Sequence, residues 1–235
     1  MGRVSVELSG RLGDDAAMEA WCNWALREFG SSGVHFALLD FNGNCITDVG
    51  VELLANFLAM LGTRPEVLKL YNNLITDKGA LFLASLLATA PSYGQQMQQV
   101  HLSHNRIGTH GAGQLLLAAA ASRAADGSAA YPAPPTGRAK GPVPLWLRLD
   151  QNHITVTAES LQQQVLDIRQ EVGLPVLAGK LLCEGPSTDG RPGLRIRTEC
   201  GPYWCSRACL KGLQSLCGQQ SMVCCGPAIH LPFFF

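Results

Sequence analysis

The feature that most restricts this chain is a short pattern that returns four times: Leu39-x-Phe41-x-x-Asn44-x-Ile46, Leu68-x-Leu70-x-x-Asn73-x-Ile75, Val100-x-Leu102-x-x-Asn105-x-Ile107 and Leu147-x-Leu149-x-x-Asn152-x-Ile154. Self-similarity of this kind marks a repeat architecture, in which each unit buries its apolar face only against its neighbours. From Asn44 to Asn73 is 29 residues, to Asn105 a further 32, and to Asn152 a further 47, so the last step holds one unit plus an insertion.

Each position in the pattern has a physical task. The alternating apolar pair sends both side chains to one face of a short strand. The Asn follows where the chain turns out of the strand, and its amide is placed to hydrogen-bond backbone groups that burial would otherwise leave without partners. The Ile then closes the turn from inside. Downstream come apolar residues at helical spacing: Leu53, Leu54, Phe57, Leu58 and Leu61 in the first copy, Phe82, Leu83, Leu86 and Leu87 in the second. The third keeps Leu115, Leu116 and Leu117 and runs on in alanines, and the fourth keeps Leu161, Val165 and Leu166. Thr47-Asp48 and Thr76-Asp77 precede the first two stripes, where short oxygen-bearing side chains cap free helix N–H groups. The predicted unit is strand, turn, helix, and the fold class is α/β.

Over residues 34–172 these motifs resemble the leucine-rich repeats of ribonuclease inhibitor, of Ran GTPase-activating protein and of nucleotide-binding, leucine-rich-repeat receptors. The resemblance implies a short horseshoe with parallel strands inside and helices outside, whose concave sheet holds a protein partner. It specifies a fold far better than a function, because one architecture serves many roles.

The expected organisation is an N-terminal helical cap at 1–30, repeats at 31–172 with a loop insertion at 122–144, and a Cys-rich tail at 173–235. Met18, Trp21, Cys22, Ala25 and Phe29 recur at helical spacing and suit a cap over the open end of the stack, with Trp21 and Trp24 as its core. The insertion is rich in Ala, Pro and Gly without periodicity, and reads as a mobile surface loop, with a docking segment around Tyr131 to Pro135 as the rival reading.

The 18 Lys+Arg balance the 18 Asp+Glu, so no long-range attraction to nucleic acid, acidic substrates or anionic membranes is implied. No apolar run reaches the roughly 20 residues that cross a bilayer. The opening residues lack a secretory core, and Val6 stands where a myristoylation signal needs Ser or Thr. The expected compartment is the cytoplasm, with the nucleus open. Nucleotide binding fails on motif: residues 173–180 have five residues between glycines and Leu181 after the Lys. His101, His104, His110 and His153 belong to the repeats and read as polar surface residues.

The residues that alternate with the core pair must point out of the sheet's other face. These are Asp40, Lys69, His101 and Arg148 between the two apolars, and Asn42, Tyr71, Ser103 and Asp150 just after. All eight are polar or aromatic-polar, and neighbouring rows of this sort make a partner-binding patch. The structural Asn ladder is Asn44, Asn73, Asn105 and Asn152.

Seven of the nine cysteines lie in the last quarter of the chain. Cys200, Cys205, Cys209 and Cys217 are the candidate ligands of a structural zinc, the one cofactor considered, although paired Cys-x2-Cys knuckles are missing. Arg191, Arg195, Arg197, Arg207 and Lys211, with Tyr203 and Trp204, offer an RNA contact. The last seven residues, Ile229 through Phe235, read as the opening of a buried strand, as though a further domain continued it. The expectation is a non-enzymatic interaction module or scaffold. The alternatives are a zinc-dependent RNA-binding protein acting through the tail, and a regulatory GTPase-activator-like protein.

Overall fold

A computed structural model describes residues 2–30, 32–89, 96–131, 133, 145–156, 158–171 and 173, together with strand segments 222–224 and 229–232. The strands are β1 (Arg3–Glu7), β2 (His35–Asp40), β3 (Val67–Lys69), β4 (Gln99–His101), β5 (Leu145–Arg148), β6 (Met222–Cys224) and β7 (Ile229–Pro232). The helices are α1 (Asp15–Phe29), α2 (Asp48–Met60), α3 (Asp77–Ala88), α4 (Thr109–Ala121) and α5 (Ala158–Glu171). One sheet runs β1-β2-β3-β4-β5-β7-β6, parallel throughout except for the antiparallel β6–β7 pair. Strands and helices therefore alternate along a parallel sheet as the repeat pattern requires. Two strands of the tail extend this sheet, β7 pairing with β5 through Leu145↔Ile229 and Trp146↔His230.

The core lies between sheet and helices. Leu39 and Phe41, Leu68 and Leu70, Val100 and Leu102, and Leu147 and Leu149 are all buried, and so are Ile46, Ile75 and Ile107 behind them. From the helices come Val51, Leu54, Phe57 and Leu58, then Leu83, Leu86 and Leu87, then Leu115 and Leu116. At about 1.5–3 kcal/mol for each fully buried large apolar side chain, this layer is the dominant favourable term.

Each Asn ties two units together. Asn73 donates from Nδ2 to the carbonyls of Leu70 in its own unit and Phe41 in the preceding one, at 3.1 and 3.0 Å, and accepts from Ile46 N–H at 3.0 Å. Asn44, Asn105 and Asn152 repeat the arrangement toward Leu8, Leu70 and Leu102. The residue just before the Asn is left-handed in every copy, with φ +65° at Gly43, 54° at Asn72, 55° at His104 and 56° at Gln151. The turn imposes this conformation whatever side chain stands there.

A second ladder runs through the helix N-termini. Thr47 and Thr76 cap their own helices, accepting from Val49 N–H and Lys78 N–H. The aspartates that follow them serve the next unit instead. Asp48 accepts from Thr76 N–H at 2.8 Å, Thr76 Oγ1 at 2.6 Å and Gly79 N–H at 2.8 Å, and Asp15 does the same for Thr47 and Gly50. A carboxylate inserted under a helix N-terminus meets free N–H groups and the positive end of the helix dipole. The glycine leaves room for it: a Cβ on Gly79 would lie 2.6 Å from Asp48 Oδ1. In the third unit Thr109 replaces the aspartate, giving Thr155 N–H of the fourth a single hydroxyl acceptor at 3.0 Å, and in the fourth unit Ala158 replaces the glycine.

The expectations for residues 1–30 and 122–144 are corrected. Residues 1–30 hold a strand as well as a helix, so that the segment repeats the strand, turn and helix of the units behind it. Val6 registers with Leu39, Gly10 N–H bonds the Asn42 carbonyl, and Arg11 occupies the position of Asn44. The insertion at 122–144 is also more than a surface loop over its described part. Arg123 bridges Ala129 antiparallel, Ala130 N–H bonds the Ser122 carbonyl, and Ala130, Tyr131 and Ala133 are buried, Tyr131 at 1% exposure. Of the rival docking segment, Tyr131 and Ala133 are buried, while Pro132, Pro134 and Pro135 lie outside the described residues.

Tyr131 and Arg64 affect one another electrostatically, and burial raises the tyrosine pKa while Arg64 lowers it. Arg64 is itself buried. Its guanidinium donates from Nε to the Leu86 carbonyl at 3.1 Å, from Nη1 to the Thr63 carbonyl at 2.7 Å and from Nη2 to Thr89 Oγ1 at 2.8 Å, where α3 ends.

Trp21 is packed edge-on to Phe41 and Phe57, with ring centroids 4.9 and 5.3 Å away. Trp24 is not a core residue: 45% of it is exposed. It holds the position that Phe57 takes in α2 and Leu86 in α3, both of which are buried, and no helix precedes α1 among the described residues.

Candidate recognition surface

Parallel pairing in register brings equivalent residues of successive strands side by side on the sheet face turned away from the helices. The central row is Glu7, Asp40, Lys69, His101 and Arg148. Next to it lie Asn42, Tyr71, Ser103 and Asp150, aligned by backbone bonds from Gly43 to Tyr71, Asn72 to Ser103 and His104 to Asp150. The structure thus places all eight sequence-predicted residues on one face, in two adjacent rows.

Their exposures divide them. Lys69, Tyr71, His101 and Arg148 are half-buried, while Asp40, Asn42, Ser103 and Asp150 are buried. The first four present the accessible chemistry and the second four form its floor. A third row, absent from the sequence reading, completes the face: Ser5, Leu38, Val67, Gln99 and Trp146. Leu38, Val67 and Gln99 are half-buried. The two-residue alternation that picked out Asp40 also reaches Leu38, but an apolar residue just before an apolar core pair reads from sequence as more core.

The floor is tied together by polar contacts. Lys69 Nζ donates to Asp40 Oδ2 at 2.8 Å, Asn42 donates from its backbone N–H to Asp40 Oδ1 at 3.2 Å, and Ser9 Oγ donates to Asn42 Oδ1 at 2.8 Å. Burial alone raises the Asp40 pKa, but the hydrogen bonds from Lys69 and Asn42 outweigh it and hold the carboxyl below its ordinary value. Arg148 Nε lies 3.6 Å from Asp150 Oδ1.

His101 lies between two cations, its Nε2 3.1 Å from Gln99 Oε1. Burial first, then the charges of Arg148 and Lys69, bring its pKa down to about 4, so the ring is neutral at pH 7. The face therefore offers two paired cations, a neutral imidazole, a phenol and short apolar patches on rigid parallel strands.

Cys200, Cys205, Cys209 and Cys217 lie outside the described residues. Among the described residues no group of three or more His, Cys, Asp or Glu side chains is arranged to hold a metal ion. Cys22 is buried, which raises its thiol pKa to about 12, and Cys45 is exposed. No helix among the described residues is long and apolar enough to cross a membrane.

Residues 37–55 match the family model described as a Leucine Rich repeat, a window running from within β2 through the Asn44 turn into α2. The chain thus carries a leucine-rich repeat, and the strand, Asn turn and helix found there recur in the units behind it. A search of curated proteins finds no match.

Proposed function

We propose that this chain is a non-catalytic interaction module that holds a protein partner on the sheet face formed by Lys69, Tyr71, His101 and Arg148. One observation carries the reading. Neighbouring parallel strands set these four half-buried side chains beside Leu38 and Val67, above a floor of buried polar residues in which Asp40 accepts from both Asn42 N–H and Lys69 Nζ. A surface ordered before binding loses little side-chain freedom on association. Tyr and Arg in such surroundings are the residue types that dominate measured interface energies. The spacing of the repeats and the backward reach of each Asn support a ribonuclease-inhibitor-like kind of repeat, with the recognition face concave.

The test is capture from native cell extract by the intact chain, set against a Tyr71→Ala, Arg148→Ala double variant. Partner capture should fall more than tenfold, about 1.4 kcal/mol or more, with the melting temperature unchanged. Equal capture by the double variant would move the site elsewhere.

A further inference from the structure

Among the described residues β1 is an edge strand, with β2 on one side and no strand on the other. The Gly2 carbonyl accepts from His35 N–H, and Leu8 N–H donates to the Asp40 carbonyl, so the even-numbered backbone groups of this segment face β2. By the two-residue alternation of a strand, the N–H and C=O groups of Arg3, Ser5 and Glu7 face outward. Proteins commonly blunt such an edge with proline, lysine or a bulge. Here β1 contains neither proline nor lysine. The irregularity beside it puts its extra residue in β2, where Val4 pairs with Phe36 and Ser5 with Leu38. The outer edge of β1 is left unbroken.

The side chains of this strand read the same way in reverse. Arg3, Ser5 and Glu7 are exposed on one face, and Val4 and Val6 are half-buried against the core on the other. Above this edge the helix layer is also open: Trp24 is 45% exposed at the position where Phe57 is 3% and Leu86 4% exposed.

We propose that this end of the sheet is a homodimer interface, with β1 of two copies pairing antiparallel about a two-fold axis at Ser5. That register sets Arg3 of each copy opposite Glu7 of the other, Val4 opposite Val6, and Ser5 opposite Ser5. The outward backbone groups of Arg3, Ser5 and Glu7 then form three hydrogen-bonded pairs, and the opposite charges meet directly across the strands. A parallel alignment would set Arg3 against Arg3 and Glu7 against Glu7, so charge selects the antiparallel one. Arg3 already donates from Nη2 to Glu66 Oε2 at 2.8 Å, and a guanidinium has further N–H donors for Glu7. The same axis keeps both helix layers on one side of the joined sheet, laying α1 beside its copy with Trp24 between them. Self-complementarity about a two-fold is what an isologous interface demands. The inference does not rest on the recognition reading, since it concerns the end of the sheet.

Sedimentation of the full chain between about 1 and 100 μM, the range that covers a dimer of micromolar affinity, is the experiment. A monomer–dimer equilibrium is expected. Glu7→Arg should weaken it at least tenfold by setting Arg against Arg, and the swap Arg3→Glu, Glu7→Arg should restore it. Ser5→Pro should abolish the dimer without removing a β1–β2 hydrogen bond, because the Ser5 N–H faces outward. An independent readout is hydrogen exchange over residues 3–7, which should slow as concentration rises. A monomer at every concentration, a dimer indifferent to Glu7→Arg, a swap that fails to restore it, or concentration-independent exchange over residues 3–7 would overturn the proposal.

Discussion

Placing a methyl group on Gly79 tests the aspartate ladder directly. The added Cβ would lie 2.6 Å from both Asp48 Oδ1 and Ile75 Cγ2, closer than such atoms approach in folded proteins. Ile75 is fully buried and has little room to give, so the carboxylate must withdraw. Withdrawal breaks its hydrogen bonds with Thr76 N–H, Thr76 Oγ1 and Gly79 N–H. Hydrogen bonds to charged groups contribute about 1.5–3 kcal/mol each, and the site is only part-buried, so water recovers part of the loss. Against this, alanine is favoured over glycine in a helix by about 1 kcal/mol. Gly79→Ala should therefore destabilise the protein by about 2–5 kcal/mol.

The same substitution in an Asp48→Ala background should cost clearly less than in the wild type, because the carboxylate and its hydrogen bonds are already gone and only the Ile75 contact remains. The chain already contains a related combination: Thr109 of the third unit stands for the aspartate, and in the fourth Ala158 follows Ile154 at the spacing of Gly79 from Ile75. Guanidinium unfolding followed by far-ultraviolet circular dichroism on the four proteins gives the coupling. Equal costs in the two backgrounds would refute the ladder.

Four further outcomes are expected. Asn73→Ala should destabilise the fold by about 1–3 kcal/mol for each backbone group it strands, the Phe41 carbonyl and Ile46 N–H among them, as read by the same unfolding assay. Tyr131→Phe should leave stability unchanged or raise it by about 1 kcal/mol, since the buried hydroxyl has no hydrogen-bond partner among the described residues, whereas Tyr131→Ala should cost about 3–5 kcal/mol. His101 has a folded pKa lowered from 6.5 to about 4, so its contribution is present above pH 6.5 and is lost as the pH falls toward 4. In His101→Gln that part of the pH dependence of the melting temperature should vanish. Asp40, also lowered, contributes above its ordinary value of 3.8 and loses that contribution on further acidification; Lys69→Met should shrink this acid-limb effect in the same titration.

What could be read from the sequence was whatever repeats. The alternation of Leu68 and Leu70 before Asn73, returning at matched offsets, locates strand, turn and inward face without any knowledge of tertiary contacts. Features that occur once left no such trace. β1 escaped because Arg11 stands where Asn would, although Val6 and Leu8 keep the alternation. Tyr131 escaped because a single anchor has no period. Asp48 was read as a cap on its own helix because sequence neighbours suggest local partners, whereas its carboxylate bonds Thr76 in the next unit. The alternation places the eight candidate residues on one face, but which of them remain accessible depends on the packing of neighbouring strands, which buries Asp150 and leaves Arg148 half-exposed.

The two ladders divide the work of a stack whose units cannot stand alone. The Asn side chains bind neighbouring turns at one end of each strand, and the Asp side chains bind neighbouring helices where they begin. Both use a single side chain to satisfy backbone groups of a neighbouring unit, so each contact is worth most where the stack continues. Toward its later units the helix ladder fades: Asp77 still accepts from Gly108 N–H, but Thr109 offers Thr155 only a hydroxyl. Stability contributed through the helices should therefore decrease from α2 toward α5, while the Asn152 contacts to Leu102 and Ile107 keep the strand side tied. The proposed recognition face belongs to that strand side. Its four accessible side chains are carried by the layer whose inter-unit bonds persist through the fourth repeat, which keeps their spacing fixed even where the helices behind them are less firmly joined.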